Sequence, residues 1–352
     1  MQHIIDHFAE VIRDAGARKA PLRIRGGGTK DFYGAALSGD VLDTRPCCGI
    51  VDYEPTELVI TARAGTPLAE IEAALRECGQ MLAFEPPRFG AGTTLGGCIA
   101  AGLSGPRRPY AGSARDFVLG VRVLDGKGTE LKFGGQVMKN VAGYDVSRLM
   151  VGSLGTLGVI TEISLKVLPL PSAEITLGQE RSAQAALDLM SAWAGKPYPI
   201  TGTCHTGGRL YVRLSGAEPA VRAARQKLGG EAPANGPTLW DALRDHTLPF
   251  FAAHTTLWRV SLKSTARPLQ SGGDALTEWN GALRWIAGEA EPVALRETAA
   301  AAGGHAMLFR GGDKSAGVFH PLAAPLSRLH RRVKDAFDPY GILNVGRMYP
   351  DF

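Results

Sequence analysis

The sequence predicts an α+β protein of two domains that join near residue 171. Three observations support this prediction: the length of 352 residues, the mixture of strand-like and helix-like segments, and a change in composition at Ser172. A chain of this length exceeds the usual size of one domain and can bury a large core. Glycine accounts for 45 residues, of which 24 lie between Gly26 and Gly158. Because ordered glycine is entropically costly, this excess indicates loops that need positive φ or close backbone approach.

Composition and charge disfavour several classes of protein. Hydrophobic residues make up 45% and charged residues 21% of the chain, near the average of globular proteins, which excludes a disordered or fibrous protein. The net charge of +5 is small for this length, and the basic residues are scattered apart from residues 328–334. Because nucleic-acid binders concentrate such charge on one face, we expect no nucleic-acid partner and interpret residues 328–334 as a solvated helix face.

Location and metal content are predicted from features that the sequence lacks. No run approaches the roughly 18 apolar residues of a membrane span, and residues 1–16 show an amphipathic helical pattern rather than that of a leader. We therefore expect a cytoplasmic protein with no direct membrane span. The five cysteines lack metal-ligand spacing, since Cys47 and Cys48 are adjacent and the others are isolated. This pattern predicts reduced thiols and no metal site.

The first elements follow from hydrophobic spacing and turn residues. Apolar residues at helical spacing from Ile4 to Ile12 predict a helix that ends at Gly16. Strands are predicted at residues 22–24, 41–44, 50–53 and 58–63. Thr66 as N-cap and Pro67 in the first turn predict the start of a second helix, which ends at Gly79. The apolar face of this second helix is formed by Leu68, Ile71, Ala74 and Leu75.

The rest of the first domain is predicted to be loops and long strands. Residues 86–112 are glycine-rich and predict a loop with one short helix. Residues 118–124 and 129–133 flank the turn 125–128 and predict a β-hairpin. A long strand follows residues 152–158, and Pro169 and Pro171 close this half. One side of that strand is formed by Val159, Thr161, Ile163, Leu165 and Val167.

From Ser172 onward alanine becomes more frequent and the glycine clusters thin out. Helices are predicted at residues 182–193 and 219–228, with strands at 200–204, 210–214, 257–262, 283–286 and 306–309. The first of these form a β-α-β-β-α half of a small α+β domain. A final helix at residues 324–337 precedes the segment 338–344. The predicted domains are therefore 1–171, 172–330 and a C-terminal segment, 331–352, that returns to the first domain.

The glycine clusters point to a nucleotide, because successive backbone N–H groups and helix N-termini bind phosphate. The two common phosphate signatures are absent, however. No G-x-x-x-x-G-K-[ST] occurs, and neither Gly26 nor Gly90 begins a G-x-G-x-x-G run. A kinase, a GTPase and a Rossmann dehydrogenase are therefore disfavoured.

Four separate glycine-rich loops are present instead, at residues 25–29, 86–97, 102–116 and 155–161. In this order and spacing they resemble the FAD-binding domain of the vanillyl-alcohol oxidase superfamily, also called PCMH-type flavoproteins, over about residues 21–171. Residues 137–149 and the closing segment 337–347 are similar to the smaller FAD-binding subunit of bacterial glycolate oxidase. The resemblance implies a PCMH-type domain of two α+β subdomains, followed by a smaller α+β cap domain.

The resemblance also implies a role for each loop. Gly26–Thr29 would wrap the FAD pyrophosphate with backbone N–H groups, and residues 93–97 would add donors and the positive end of a helix. Gly105, Gly112 and Ser113 would line the approach to the flavin, while Val159 and Ile160 would lie against the adenine. The implied FAD-binding residues are Arg25, Gly26, Gly27, Gly28, Thr29, Pro86, Thr93, Thr94, Gly96, Gly97, Gly105, Gly112, Ser113, Val159, Ile160 and Asn344. Arg25, Lys30 and Arg115 could neutralise phosphate.

The mode of attachment and the substrate side are also expectations from the resemblance. The first glycine loop contains no histidine of the kind that attaches flavin covalently, so we expect dissociable FAD. The histidine motif H-x-G-D-G-N of larger relatives is absent, and His305 and His320 are isolated candidates for a base. Arg310 and Arg347 are conceivable clamps for a carboxylate. No catalytic residue is therefore assigned.

The implied function is that of the FAD-binding subunit of a glycolate or D-2-hydroxy-acid dehydrogenase complex. It would oxidise the 2-hydroxy acid to the 2-oxo acid, or relay its electrons to an iron–sulfur partner, beside a larger catalytic flavoprotein subunit. Membrane association would come only through those partners. One alternative is a non-catalytic assembly subunit with structural FAD. Another is an NAD(P)H-dependent flavin reductase, which the D-P-x-G-I-L-N segment 338–344 disfavours.

Overall fold

The computed structural model of the protein describes residues 1–36, 38–136, 144–269 and 273–350. The chain divides into two compact units. The first unit comprises Met1–Leu103, Ser113–Pro169 and Pro321–Phe352, and the second comprises Ser104–Gly112 and Leu170–His320. The chain therefore enters the second unit twice and returns to the first. The division at 169/170 lies close to the predicted change at 171. The predicted domains 1–171, 172–330 and 331–352 stay a prediction.

Both units contain helices and strands. In the described residues the helices are α1 (Gln2–Arg18), α2 (Leu68–Glu77), α3 (Leu95–Ala101), α4 (Arg108–Ala111), α5 (Ala114–Phe117), α6 (Val146–Leu149), α7 (Ala183–Ala194), α8 (Glu218–Leu228), α9 (Gly236–Arg244), α10 (Pro249–Ala252), α11 (Pro292–Ala301) and α12 (Ala324–Phe337). The strands are β1 (Leu22–Arg25), β2 (Asp40–Asp43), β3 (Ile50–Glu54), β4 (Val59–Arg63), β5 (Gln80–Met81), β6 (Val118–Leu124), β7 (Glu130–Gly134), β8 (Val159–Lys166), β9 (Leu168–Pro169), β10 (Ala173–Glu180), β11 (Ile200–Thr206), β12 (Arg209–Gly216), β13 (Leu257–Ser261), β14 (Ala275–Glu278), β15 (Leu283–Ala287) and β16 (His305–Arg310). None of these helices has the length and apolar character that crossing a membrane requires.

The first unit contains a parallel strand pair and a larger antiparallel sheet. Strands β1 and β2 pair in parallel, with Leu22 opposite Asp40. The five-stranded sheet has the order β3-β4-β8-β6-β7, and all of its neighbours are antiparallel. Its central strand β8 is hydrophobic on the inner side, where the predicted stripe from Val159 to Val167 is fully buried. The predicted hairpin of β6 and β7 is confirmed.

The core of the first unit joins elements from both ends of the chain. Helix α1 turns Ile5, Phe8 and Ile12 toward the interior, as its spacing predicts. They form one buried cluster with residues from β1, β2, β6, β8 and the C-terminal segment. Ile342 and Leu343 belong to this cluster. The C-terminal segment is thus part of the core that supports β1.

The predicted cap of α2 is wrong, although the helix itself is confirmed. The structure has Pro67 at the N-cap, with no side-chain capping bond. The buried Thr66 hydroxyl instead donates to Arg63 O at 2.7 Å and accepts from Gly49 N–H at 2.9 Å. Thr66 therefore joins β4 to the segment before β3, because the loop turns its side chain away from the helix.

The second unit contains a seven-stranded sheet with helices packed on it. The strand order is β10-β12-β11-β14-β15-β13-β16, and every neighbouring pair is antiparallel. One buried cluster joins α7 and α8 to β10, β11 and β12, and another joins α11 to β13, β15 and β16. The segment with α4 belongs to this unit, where the Tyr110 hydroxyl donates to Asn280 Oδ1 at 2.5 Å.

Candidate functional site

The first candidate feature is the loop Gly26–Thr29, which follows β1. A Cβ atom at Gly26 would overlap Thr94 Oγ1, and one at Gly27 would overlap the carbonyl group of Gly92. Gly28 has a φ of +73°, in the left-handed region that favours glycine. Glycine is therefore needed at these three positions for two different reasons. Gly26 and Gly27 approach a neighbouring loop closely, and Gly28 forms a turn.

The neighbouring loop supplies hydroxyl groups. Thr29 Oγ1 and Thr93 Oγ1 are 2.8 Å apart and share a hydrogen bond. Thr94 is the N-cap of α3, and its Oγ1 accepts from Gly97 N–H at 3.3 Å. The structure thus brings the first two predicted FAD loops into contact. Their order in the sequence alone did not predict this contact. Pro86 is buried in the segment that leads into this second loop.

The backbone N–H groups of the first and second glycine-rich loops differ in whether they already donate to acceptors within the protein. Within the described ranges, no N–H group of Gly26–Thr29 donates to a protein acceptor. Successive N–H groups of this kind form a concave site for anions. Gly96 N–H, in contrast, donates to Ala64 O at 2.7 Å, so this predicted donor is already used within the protein. The first loop is therefore the stronger anion site.

A groove extends from the first loop to β8. Two adjoining cavities share the residues Ile24, Gly26, Gly97, Ala100, Leu154 and Asn344. Ile160 lines the second cavity. Val159 does not, because its side chain lies in the core cluster beside α1. The backbones of both residues pair with β6, opposite Leu124 and Val123.

Charge around the first cavity is mainly positive. Four cationic side chains and one carboxylate line it, namely Arg23, Arg25, Lys30, Arg347 and Asp31. Arg23 Nη2 and Arg25 Nε each lie 2.8 Å from Asp31 Oδ2. Lys30 Nζ donates to Arg88 O at 3.4 Å. The excess of cations over Asp31 favours a ligand with more than one negative charge.

Asn344 connects the groove to the C-terminal segment. Its side-chain Oδ1 accepts from Ile24 N–H at 2.8 Å, and its Nδ2 donates to Leu154 O at 2.6 Å. Its own backbone N–H donates to Leu22 O at 3.0 Å, and its φ of +44° lies in the left-handed region. Asn344 therefore fixes β1 relative to the loop before Gly155.

Arg347 holds the chain that follows the first glycine loop. Its Nη1 donates to Ala35 O at 2.8 Å, and its Nη2 donates to Lys30 O at 3.1 Å and Asp31 O at 3.2 Å. The side chain is buried, and burial lowers the pKa of Arg347. These contacts do not support the sequence-based idea of a carboxylate clamp, because the guanidinium already binds backbone carbonyls.

Sequence reasoning missed the buried ion pair of Lys334 and Asp338. Lys334 Nζ donates to Asp338 Oδ2 at 2.6 Å, to Thr156 O at 2.8 Å and to Leu343 O at 2.8 Å. Burial lowers the pKa of Lys334, and the Asp338 carboxylate acts in the opposite direction. A Lys and an Asp four residues apart at a helix end, directly before Pro339, is the signal that could have drawn attention to the pair.

The third predicted loop is divided between the two units. Gly105 and Gly112 belong to the second unit, where Gly105 O accepts from Trp279 Nε1 at 3.0 Å. Ser113 belongs to the first unit and forms a capping box with Asp116 at the start of α5. Arg115 is exposed on that helix. The flavin-lining role of these residues stays a prediction.

The substrate-side candidates lie in the second unit. The rings of His305 and His320 are 6.4 Å apart, and burial lowers the pKa of His305. Arg310 Nη2 donates to Phe251 O at 2.7 Å and His254 O at 2.9 Å, so it holds the α10 segment. No group of three or more His, Cys, Asp or Glu side chains suited to a metal occurs in the part of the chain that the structure describes. The predicted motif at residues 137–143 lies outside the described residues.

Known proteins resemble this chain in sequence. A family model described as an FAD binding domain matches residues 3–134. The chain is 52% identical over 342 residues to the glycolate oxidase subunit GlcE of Escherichia coli (strain K12), covering 97% of this chain and 96% of that protein. It is 30% identical over 194 residues to the glycolate oxidase subunit GlcD of Bacillus subtilis (strain 168), covering 53% of this chain and 41% of that protein.

A solved structure resembles the chain in fold. Alkyldihydroxyacetonephosphate synthase matches with a TM-score of 0.64 and 17% identity, covering 96% of this chain and 75% of that one. At this identity the likeness concerns the fold alone. The predicted fold class, an α+β FAD-binding domain with a further α+β domain, is confirmed by the family match and this likeness.

Proposed function

Because this chain belongs to the family of the glycolate oxidase subunit GlcE and carries an FAD-binding domain, we propose that it is the FAD-binding subunit of a 2-hydroxy-acid dehydrogenase complex. FAD is held without a covalent bond in the groove of the first unit. The observation that carries this proposal is the row of backbone N–H groups at Gly26–Thr29, which have no protein acceptor in the described ranges and adjoin a positively charged cavity.

The residues of the groove fit a dinucleotide pyrophosphate. Four successive N–H groups can donate to two phosphates without a metal ion, and Arg23, Arg25 and Lys30 add positive charge nearby. Arg25 therefore contributes to pyrophosphate binding in two ways: its side chain adds positive charge, and its backbone begins the turn that carries the N–H groups. Thr93, Thr94 and Gly97 form the facing side of the site, while Pro86 and Gly96 shape the loop and the helix that carry them.

The remaining assignments concern the two ends of FAD. Ile160 lines the groove beyond Gly97, so we assign the adenine to this end, with Val159 acting through its main chain. Ser113, in the same unit, is assigned to the flavin end, and the flavin-lining roles of Gly105 and Gly112 stay predictions from the resemblance. Asn344 acts on the site by holding β1 and Leu154 in place.

When bound, FAD supplies the two-electron redox chemistry that the chain itself lacks. The chain contributes binding and orientation: the first loop holds the pyrophosphate, and the C-terminal segment fixes that loop. Oxidation of a 2-hydroxy acid also needs a base for the hydroxyl and a cation for the carboxylate. Arg310 and Arg347 are occupied by backbone carbonyls, which supports a relay of electrons from a larger flavoprotein subunit to an iron–sulfur subunit. A cytoplasmic location, with membrane association only through such partners, is part of this proposal.

The test is the visible absorption spectrum of the purified chain before and after anaerobic addition of glycolate, D-lactate or NADPH. We expect an oxidised flavin spectrum that none of the three reagents bleaches when the chain is alone. Bleaching by glycolate or D-lactate would place a substrate site in this chain, and bleaching by NADPH would support a flavin reductase. Failure to bind added FAD would reject the proposed function.

A second test separates a relay from an assembly subunit whose FAD is structural. The chain is stripped of FAD and recombined with its partner subunits, with and without added FAD. Activity of the complex that returns only with FAD supports the relay. Equal activity without FAD in this chain supports the assembly role.

A further inference from the structure

Residues 338–347, which we call the C-terminal strap, extend the sheet that begins the FAD groove. Leu22 N–H donates to Ile342 O at 2.7 Å, and Asn344 N–H donates to Leu22 O at 3.0 Å. Leu22 and Leu343 form a parallel bridge at the edge of β1 that faces away from β2. The strap therefore occupies this edge up to Ile24, whose N–H binds the side chain of Asn344. The first glycine loop begins two residues beyond that point.

Arg347 fixes the other end of the same loop. Its guanidinium reaches three carbonyls in the segment 30–35, which continues directly from Thr29. Gly34 makes room for it: Gly34 has a φ of +88°, and a Cβ there would lie 2.9 Å from Arg347 Nε and from Arg347 O. In return, Ala35 N–H donates to Arg347 O at 2.9 Å. The segment is thus folded around this side chain.

The start of the strap is fixed by the buried ion pair. Asp338 Oδ2 accepts from Leu343 N–H at 2.8 Å, and Lys334 Nζ binds both Leu343 O and Thr156 O. Asn344 binds Leu154 O in the same loop. The strap therefore touches three walls of the groove: β1, the segment after the first glycine loop, and the loop 154–156.

We propose that Arg347 is a positioning residue for FAD, and that docking of the C-terminal strap and binding of FAD are energetically coupled. Arg347 touches no reacting group, and it acts through the segment 30–35 on the N–H groups of Gly26–Thr29. Coupling of this kind is reciprocal, so a docked strap strengthens FAD binding and bound FAD stabilises the docked strap. The inference rests on the proposed function, because it places FAD in this groove.

The chemistry of the side chain makes the inference specific to arginine. The planar guanidinium presents separate donors to Ala35 on one side and to Lys30 and Asp31 on the other. An ammonium group is a compact charge on a flexible stem and cannot span these acceptors in one orientation. Arg347→Lys should therefore retain only part of the FAD affinity that Arg347→Ala removes.

The first experiment measures FAD affinity by flavin fluorescence titration of the stripped full-length chain. We expect Arg347→Ala to raise the Kd by about tenfold or more, which corresponds to about 1.4 kcal/mol. Arg347→Lys should give an intermediate Kd. The matched control is Arg332→Ala, which removes an exposed arginine from α12 and should leave the Kd unchanged.

A purely structural role is distinguished by measuring stability alongside affinity. If Arg347→Ala lowers the unfolding midpoint but the folded protein binds FAD with the Kd of the unaltered chain, the inference is wrong and the proposed function stands. If the unaltered chain does not bind FAD, the proposed function fails and the inference fails with it.

Hydrogen exchange of the unaltered chain tests the reciprocal effect without any variant. The amides of Leu343, Asn344 and Arg347 donate to acceptors within the first unit. We expect FAD to slow their exchange by about tenfold or more, in line with the effect on affinity. Equal exchange rates with and without saturating FAD would overturn the proposed coupling.

Discussion

The proposed FAD groove of the first unit and the second unit both contain buried arginines that donate to backbone carbonyls. In the second unit, Arg284 donates to Gly281 O at 2.8 Å and to Ala266 O at 3.0 Å. Arg296 donates to Ala316 O and Gly317 O at 2.8 and 2.6 Å. In the groove, Arg347 is used in the same way, while the N–H groups of Gly26–Thr29 have no acceptor within the described ranges.

If FAD binds at the first glycine loop as proposed, buried arginine is a poor indicator of the ligand site in this protein. Guanidinium groups with several hydrogen-bond donors hold loops by binding carbonyls that would otherwise be buried without a partner. The site is indicated instead by glycine positions at which the backbone approaches another loop. Breaking that backbone arrangement should therefore remove FAD, while breaking the buried ion pair of Lys334 and Asp338 should reduce stability first.

The largest effect is expected at Gly27. Gly27→Val should abolish FAD retention, because a Cβ at this position overlaps the carbonyl group of Gly92 and forces the two loops apart. The measurement is the ratio of flavin to protein absorbance after purification. Gly195→Val is the control, since Gly195 is exposed and a Cβ there would meet no other atom within 4 Å. Full flavin occupancy in Gly27→Val would refute the placement of the pyrophosphate at this loop.

The next effect is expected at the buried ion pair. Lys334→Met leaves the Asp338 carboxylate buried without its ammonium partner, which should lower the free energy of unfolding by about 3–5 kcal/mol. Urea unfolding followed by circular dichroism measures this loss. Lys127→Met, at an exposed lysine in the β6–β7 turn, should change little. A loss for Lys334→Met below about 1 kcal/mol, the range of an exposed pair, would show that the pair does not hold the strap.

The smallest of the three effects concerns acid stability of the second unit. His246 stacks on Phe251 with ring centroids 3.9 Å apart, and burial lowers its pKa to about 3. Because the unfolded group has a pKa near 6.5, the unfolded state binds more protons between these values, so stability is full above pH 6.5 and falls as the pH drops toward 3. The contribution lost between pH 7 and 4 is about 3 kcal/mol.

The change His246→Phe should remove this part of the pH dependence. All five tryptophans lie in the second unit, so urea unfolding followed by tryptophan fluorescence monitors that unit. We expect the unaltered chain to lose about 3 kcal/mol more than the variant between pH 7 and 4. His3→Gln, in α1, serves as the control and should retain the full pH dependence. Equal losses in the unaltered chain and in His246→Phe would contradict the assignment.

The sequence predicts elements whose signals are local. Helix α12 begins and ends where its spacing places it, and the hairpin of β6 and β7 follows from its turn. The predicted β-α-β-β-α half implies a strand before α7, but the sequence gives no bounds for this strand, β10, because glycine at position 178 weakens the strand pattern and the long pairing with β12 is a tertiary contact. Helix α9 was missed for a related reason, since it begins with Gly236 and a proline, which usually indicate a loop.

In the candidate site, too, the sequence predicts the residues with local signals and misses those whose partners are distant in the chain. The glycine loops and Asn344 could be found because their spacing matches a known family, whereas their FAD contacts stay predictions. Arg347 binds a carbonyl 317 positions earlier in the chain, and Lys334 binds one 178 positions earlier. No local pattern encodes such partners. The assignment of Gly105 and Gly112 to the second unit is likewise a property of three-dimensional contacts.

The pairing of Leu22 with Leu343 has a consequence for biosynthesis. The edge of β1 gains its partner only after the ribosome has made some 320 further residues, including all of the second unit. Domains generally fold as units during synthesis, and contacts distant in sequence form late. The second unit is therefore complete on the nascent chain while the first still lacks its last strand partner. The docking of the C-terminal strap, and the FAD affinity that we propose it supports, therefore come after the second unit has been synthesised.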